Sequence, residues 1–273
     1  MNFYVGTDDT KRAHELSHSM FSANRIARHS VMGHPLFRPN TWMLDSGAFT
    51  QITTHGDFTL SVEKYAKLIK RFSNRGNLTC AVSQDYMCEP VVREITGKSV
   101  REHQRMSTRR YFQLLKELRK ISCDVELMPV LQGWEPEDYI DHLDMYEEVW
   151  AHRDRISGYL YYFDDKWSAP EKPKYIGLGT MCKRNKNPGE VEHILDILLP
   201  RLIDYKVHLF GIKKTALKFA AIRGRIHSAD SFAYDFHDRY TQKIRTRRER
   251  MESAKRFAKE IASQSVQMSL LFE

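Results

Sequence analysis

Short apolar runs rich in β-branched and aromatic residues alternate along this chain with stretches of helical period, and no other feature restricts its fold so strongly. Each run reads as a buried strand. Each amphipathic stretch reads as a crossover helix that returns the chain and lays the next strand parallel to the last. Seven runs stand out: Phe3 to Val5, Trp42 to Leu44, Leu78 to Val82, Val125 to Leu131, Tyr175 to Leu178, Val207 to Ile212 and Arg225 to His227. Between them Val62, Tyr65, Ala66, Ile69 and Phe72 share one helical face, as do Ile140, Leu143 and Tyr146, and then Val191, Ile194, Leu195, Leu198 and Leu202. Pro188 and Glu190 give the third of these helices a proline and an acid in its first turn. The segment Arg155 to Trp167 is either an insertion or a remaining strand. Seven or eight parallel strands predict an α/β fold, a (β/α)8 TIM-like barrel, with a doubly wound open sheet as the other architecture of this periodicity.

From Asp238 to Lys259 the chain changes character: it is strongly basic, helix-forming and free of glycine and proline, and a short tail follows. This predicts a barrel over 1–237 and a basic helix with a C-terminal tail over 238–273. A length of 273 residues accommodates one large core. The four cysteines, Cys80, Cys88, Cys123 and Cys182, have neither disulfide-framework nor zinc-knuckle spacing. The start turns polar within a few residues and no apolar run is long enough for a bilayer, so a cytoplasmic protein without membrane contact is expected. A formal net charge of +8 suits a polyanionic partner, although a solvated basic surface has the same composition.

In a parallel barrel the reactive groups sit where strands end, so polar residues directly after apolar runs are the first candidates. Asp45 follows Trp42 to Leu44, Asp85 follows Ala81-Val82, Gln132 follows Val130-Leu131, Gly179 follows Ile176 to Leu178, and Asp230 follows the Ile226 run. One such aspartate taken alone is commonly a helix cap. Three at separate strand ends, with a glutamine and a glycine at two more, form a set able to attack, shuttle a proton and read a hydrogen-bonding edge. His55, His227 and His237 fit no metal-site spacing, and no metal is expected.

Asp45-Ser46-Gly47-Ala48-Phe49 resembles the Asp-Ser-Gly-Gly-aromatic motif of the tRNA-guanine transglycosylase superfamily. The other strand ends follow in the same order: Val82-Ser83-Gln84-Asp85, Val130-Leu131-Gln132-Gly133, Tyr175-Ile176-Gly177-Leu178-Gly179, Leu209-Phe210-Gly211 and Ser228-Ala229-Asp230. The resemblance spans residues 40 to 235. No cysteine follows Cys182, so the Cys-rich zinc site of the tRNA enzymes is missing from this sequence. That absence, the short length and the DSGAF variant look more like the DpdA group, the DNA-guanine transglycosylases of phages and bacterial genomic islands.

The resemblance implies that Asp230 is the nucleophile at C1′ and Asp45 the general acid and base. It implies a base pocket of Ser46, Phe49, Asp85, Gln132, Gly179 and Phe210, with Asp85 on the N1–H and amino edge, Gln132 and the Gly179 N–H on O6, and the two phenylalanines stacking the base. For either phenylalanine ordinary barrel packing is the competing assignment. The implied partners are DNA and a 7-deazaguanine co-substrate such as 7-cyano-7-deazaguanine, with no other cofactor, in a host cytoplasm if the gene is a phage's. The same chemistry on tRNA, or an inactive barrel that only binds nucleic acid, are the alternatives.

Basic residues on the expected active face, Lys183, Arg184, Lys186, Lys213 and Lys214, are placed to reach phosphates, and Arg247, Arg248 and Arg250 extend that surface along the final helix. The tail residues Gln267, Leu270 and Phe272 resemble the short peptides that dock on the bacterial sliding clamp; packing of the tail on the barrel is the other reading.

Overall fold

The computed structural model describes residues 1–27, 37–151, 171–184, 187–235 and 246–269. Its strands are β1 (Asn2–Gly6), β2 (His18–Ser22), β3 (Thr41–Asp45), β4 (Asn77–Val82), β5 (Leu127–Met128), β6 (Val130–Leu131), β7 (Tyr175–Leu178), β8 (Lys206–Leu209) and β9 (Ser228–Ser231). Every pairing is parallel, in the order β5-β4-β3-β2-β1-β9-β8-β7-β6. The two ends of that order are halves of one strand. β5 pairs with β4, β6 pairs with β7, and only Pro129 separates them, so the sheet closes into a barrel with eight strand positions. Pro129 interrupts the strand because it has no N–H for the ladder, while its carbonyl still accepts from the Gly177 N–H at 2.9 Å.

Side-chain alternation explains why the strands read as continuous apolar runs. Tyr4, Met20, Met43, Cys80, Val82, Met128, Val130 and Tyr175 fill the barrel interior as one cluster. Their neighbours Phe21, Leu44, Ala81, Leu131, Ile176 and Leu209 point outward into the larger core beneath the helices. Both faces are buried, as in an all-parallel sheet. The helices include α1 (Ala48–His55), α2 (Val62–Phe72), α3 (Pro90–Thr96), α4 (Val100–Lys120), α5 (Pro136–Ala151), α6 (Pro188–Leu198) and α7 (Arg247–Ser269). A capping box starts α4: the Ser99 hydroxyl accepts from the Glu102 N–H, and the Glu102 carboxylate accepts from the Ser99 N–H. α6 carries Pro188 and Glu190 in its first turn, as expected.

The structure corrects several strand boundaries. A strand that the apolar runs did not show is β2, while Arg155 to Trp167, read as an insertion or a remaining strand, lies outside the described residues. The final strand is Ser228–Ser231 instead of Arg225 to His227, so Asp230 lies within it, opposite Tyr4 of β1. Val207 to Ile212 shortens to Lys206–Leu209, because Gly211 turns the chain at φ +63°.

The basic helix also differs from expectation. α7 runs to Ser269 and takes in Gln267, while Leu270 and Phe272 lie outside the described residues, as do 236–245. Met251 and Ala254 bury against Val5 and Leu16, Phe257 meets Phe3 edge to face at 5.6 Å, and Ile261 enters the main core. Its start lies at the carboxyl ends of the strands, where Arg250 stands 3.7 Å from Asp8 and 3.9 Å from Asp235. Its far half reaches the opposite end, where Ile261 and Ala262 share a cavity wall with Met1, Asn2, Ser17 and His18. No described helix is long and apolar enough to cross a membrane. Because α7 completes the barrel's packing, Met251→Ala should lower the unfolding free energy of the whole chain by about 2–4 kcal/mol. Urea denaturation followed by barrel tryptophan fluorescence measures this, and an unmoved midpoint would make the helix an independent unit.

Candidate active site

The carboxyl ends of the strands surround a cavity of about 300 Å³, lined by Ser22, Asp45, Gly47, Phe49, Val82, Asp85, Glu89, Gln132, Gly179, Thr180, Cys182, Phe210 and Gly211 among others. Asp45 closes β3 in register with Ser22 of β2. The chain turns sharply after it because Gly47 has φ +77°; a Cβ there would stand 2.3 Å from the Asn24 amide nitrogen, whose N–H donates to the Gly47 carbonyl. The Gly47 N–H in turn donates to Asp45 Oδ2 at 3.1 Å. Asp45 is half-buried and lines the cavity. Burial, then the charge of nearby Asp230, pushes its carboxyl up to about 6, against hydrogen bonds from Gly47, Ser22 and Ser46.

Asp230 is not among the residues that line the cavity; it lies behind Gly211, which does line it and whose N–H donates to Asp230 Oδ1 at 2.9 Å. Beneath it His208 is fully buried, with Nε2 3.3 Å from the same oxygen and Nδ1 2.9 Å from Ser228 Oγ. A carboxylate only accepts, so in that bond the His208 Nε2–H is the donor, while Nδ1 and the Ser228 hydroxyl bond each other. His208 therefore holds Asp230 from below. Sequence reading missed it, although a histidine inside the apolar run Val207-His208-Leu209 was a visible signal.

Asp85 and Gln132 form the cavity floor. Gln132 Nε2 donates to Asp85 Oδ2 at 2.5 Å, and its Oε1 accepts from the Thr180 hydroxyl at 2.8 Å. The Gln132 backbone is fixed at both ends, its N–H on His142 Nδ1 and its carbonyl on the Gln104 amide. Thr180 makes its contact from the left-handed region, φ +62°, a costly conformation for a β-branched residue. Burial is the main reason the Asp85 carboxyl is pushed up to about 7; the bond from Gln132 opposes this and the charge of Asp45 adds to it.

Other expected site residues fall into three groups. Phe49 and Phe210 both line the cavity, Phe49 more than half exposed with the Lys183 ammonium 5.9 Å from its ring, Phe210 packed edge to face on His208. Gly179 contributes differently from its expected role, because its N–H is committed to the Leu131 carbonyl at 2.9 Å. What it supplies is space: a Cβ there would lie 2.1 Å from Gln132 Nε2. Ser46 is buried and absent from the cavity lining; its backbone, not its hydroxyl, supports Asp45.

The basic residues also divide. Lys183, Lys213, Arg247 and Arg248 are exposed. Arg184 is buried, bonded to the Thr180 and Trp134 carbonyls and stacked on Trp134, so it braces the loop instead of reaching solvent. Lys214 pairs with Glu260, and Arg250 is drawn to Asp8 and Asp235. Lys186 and His237 lie outside the described residues. His55 is exposed at the end of α1, and His227 packs on Tyr175, which fills the barrel interior below.

A carboxyl raised by burial stabilises the fold at low pH and loses that contribution as pH rises through its folded value. Asp85→Asn removes the loss while an amide oxygen can still accept from Gln132. The variant should be more stable than the parent at pH 8 by roughly 2–4 kcal/mol, and the difference should close as pH falls through 7 toward 4. Chemical denaturation across that range tests it; an advantage independent of pH would contradict the burial of an ionisable Asp85.

Comparison with curated proteins gives no match. A family model, DpdA, described as deoxypurine in DNA protein A, matches residues 1–158, a span that includes Asp45, Asp85 and Gln132 and stops short of Asp230. With more than half its length inside that match, this chain belongs to the DpdA family.

Proposed function

We propose that the protein exchanges guanine in DNA for a 7-deazaguanine base, such as 7-cyano-7-deazaguanine, through a covalent aspartyl-glycosyl intermediate on Asp230. Membership of the DpdA family supports DNA as the polymer. The observation that carries the chemistry is the pairing of Asp45 and Asp230 at one barrel mouth, near enough for the charge of Asp230 to raise the Asp45 carboxyl.

Two acids so coupled divide the work. The Asp230 carboxylate, steadied by the Gly211 N–H and by His208, attacks C1′ of the flipped nucleotide; the C1′–O bond forms as C1′–N9 breaks. Asp45, whose carboxyl is pushed up to about 6 and so takes up a proton more readily than an ordinary aspartic acid, gives that proton to the departing base. The incoming base then returns its N9 proton to Asp45, and its nitrogen displaces Asp230 from C1′, so two inversions retain the anomeric configuration. Asp85 accepts from N1–H and the exocyclic amine, and a Gln132 amide N–H serves O6. The base must leave the helix to reach this floor, and Phe49 and Phe210 offer it aromatic faces.

Acid quenching of a reaction with guanine-containing DNA should trap a protein–DNA adduct, and Asp230→Asn should abolish it together with incorporation of a labelled 7-deazaguanine base. Asp45→Asn should slow exchange by a factor of roughly 10²–10⁴. An Asp230→Asn enzyme that still exchanges bases would defeat the mechanism, and labelling of tRNA in place of DNA would change the substrate. Arg247 and Arg248 are exposed at the start of α7, near the mouth marked by the Arg250 contacts. Replacing both with Ala should weaken DNA binding and reduce the slope of log affinity against log salt by up to about 2; an unaltered slope would remove the helix from the DNA surface.

A further inference from the structure

The cavity wall holds another carboxyl for which the mechanism has no use. Glu89 precedes α3 and lines the cavity, only 2% exposed. Its Oε1 receives the Cys182 thiol at 3.9 Å, a weak donor at long range, and its Oε2 is buried with no partner. A buried carboxyl oxygen without a hydrogen bond is destabilising, and such an atom beside a cavity is explained by a ligand that completes it. Burial pushes Glu89 upward, against its own backbone N–H and then the charges of Lys183 and Arg184, so its proton is retained more readily than an ordinary glutamic acid's.

Its position selects the part of the ligand it meets. Around the cavity Asp85 is bonded to Gln132, Gln132 to Thr180, and Cys182, two residues on, to Glu89. Around a guanine-type base the amino and N1–H edge is followed by O6, and O6 by position 7. With Asp85 on the first and Gln132 on the second, position 7 faces the wall formed by Cys182 and Glu89. Resting on the base-exchange reading above, we propose that Glu89 is the specificity-determining residue for the incoming base, donating an O–H hydrogen bond to an acceptor atom on a short substituent at carbon 7, such as a nitrile nitrogen. Guanine has no substituent there, and its N7 acceptor lies within the ring, farther from this wall. The site therefore favours the base that enters over the base that leaves.

An internal competition tests this with the full chain and guanine-containing DNA. Equal amounts of 7-cyano-7-deazaguanine and unsubstituted 7-deazaguanine are offered together, and mass spectrometry of the DNA nucleosides gives the ratio of kcat/KM directly. A second reaction pairs the unsubstituted base with 7-aminomethyl-7-deazaguanine. The wild type should prefer the cyano base by about 10-fold, the worth of one hydrogen bond. Glu89→Gln keeps an N–H donor and should keep most of that preference; Glu89→Leu should bring it near unity, with both variants shown folded by thermal melting. A preference unchanged in Glu89→Leu overturns the proposal, as does failure of both folded variants to form product, which would make Glu89 structural. Preference of the wild type for the aminomethyl base, lost in both variants, overturns it by making Glu89 an ionised acceptor. If the wild type incorporates no base at all, the base-exchange reading itself fails and this proposal falls with it.

Discussion

Closure of an all-parallel sheet is the constraint on which the rest of the structure depends. Parallel pairing sends every strand's carboxyl end to one rim, and closure brings ends far apart in sequence into one ring. Asp45 and Asp230 are separated by most of the chain, yet only β1 and β2 stand between their strands. The closure passes through Pro129, the residue least able to join a ladder, and survives because the halves on either side pair with different neighbours. Residues 127–131 thus turn from β4 to β7 while delivering Gln132 to the rim.

The second constraint is electrostatic. The mouth gathers Asp45, Asp85 and Glu89, each pushed upward chiefly by burial, with Asp230 adding to the load on Asp45. Such a cluster opposes folding at neutral pH, and the large barrel and helix core supplies what offsets it. The strained backbone of Thr180 belongs to the same account. Three upward-shifted carboxyls and a left-handed threonine thus share one cavity wall.

How much of this was legible in the sequence follows from what each residue does. Asp45 and Gln132 could be read because each directly follows a run of apolar side chains, and Asp85 because it comes three residues after one; strand ends are where a barrel places its reactive groups. β2 escaped because His18, Ser19 and Ser22 dilute its apolar signal; Ser19 is wholly buried nonetheless. β9 was displaced for the same reason, since Ser228-Ala229-Asp230-Ser231 has one apolar residue and reads as a loop. Backbone commitments were invisible: nothing in the letters shows that the Gly179 N–H is held by Leu131, or that Arg184 turns inward to carbonyls while neighbouring Lys183 stays in solvent. Composition shows that a chain is basic. Only the fold decides which cations face outward.

The least legible feature bears most on selectivity. A glutamine amide can be turned either way, and its two orientations present opposite hydrogen-bonding faces. Here the Thr180 hydroxyl meets Oε1 and Asp85 takes one proton of Nε2, which leaves the second N–H as the donor available to a bound base. Reversing the amide would set its oxygen against the oxygen of an ionised Asp85 carboxylate, so Asp85 fixes the orientation and the Thr180 hydroxyl, able to donate or accept, follows it. On the base-exchange reading, a guanine-type ring matches this array with two donors for Asp85 and one acceptor for Gln132. Adenine would bring its amine against the Gln132 donor and a bare ring nitrogen against Asp85, two mismatches of about 1–3 kcal/mol each. Roughly 10²–10⁴-fold discrimination then follows from the carboxylate that orients the amide, Asp85, and the amide N–H it leaves free.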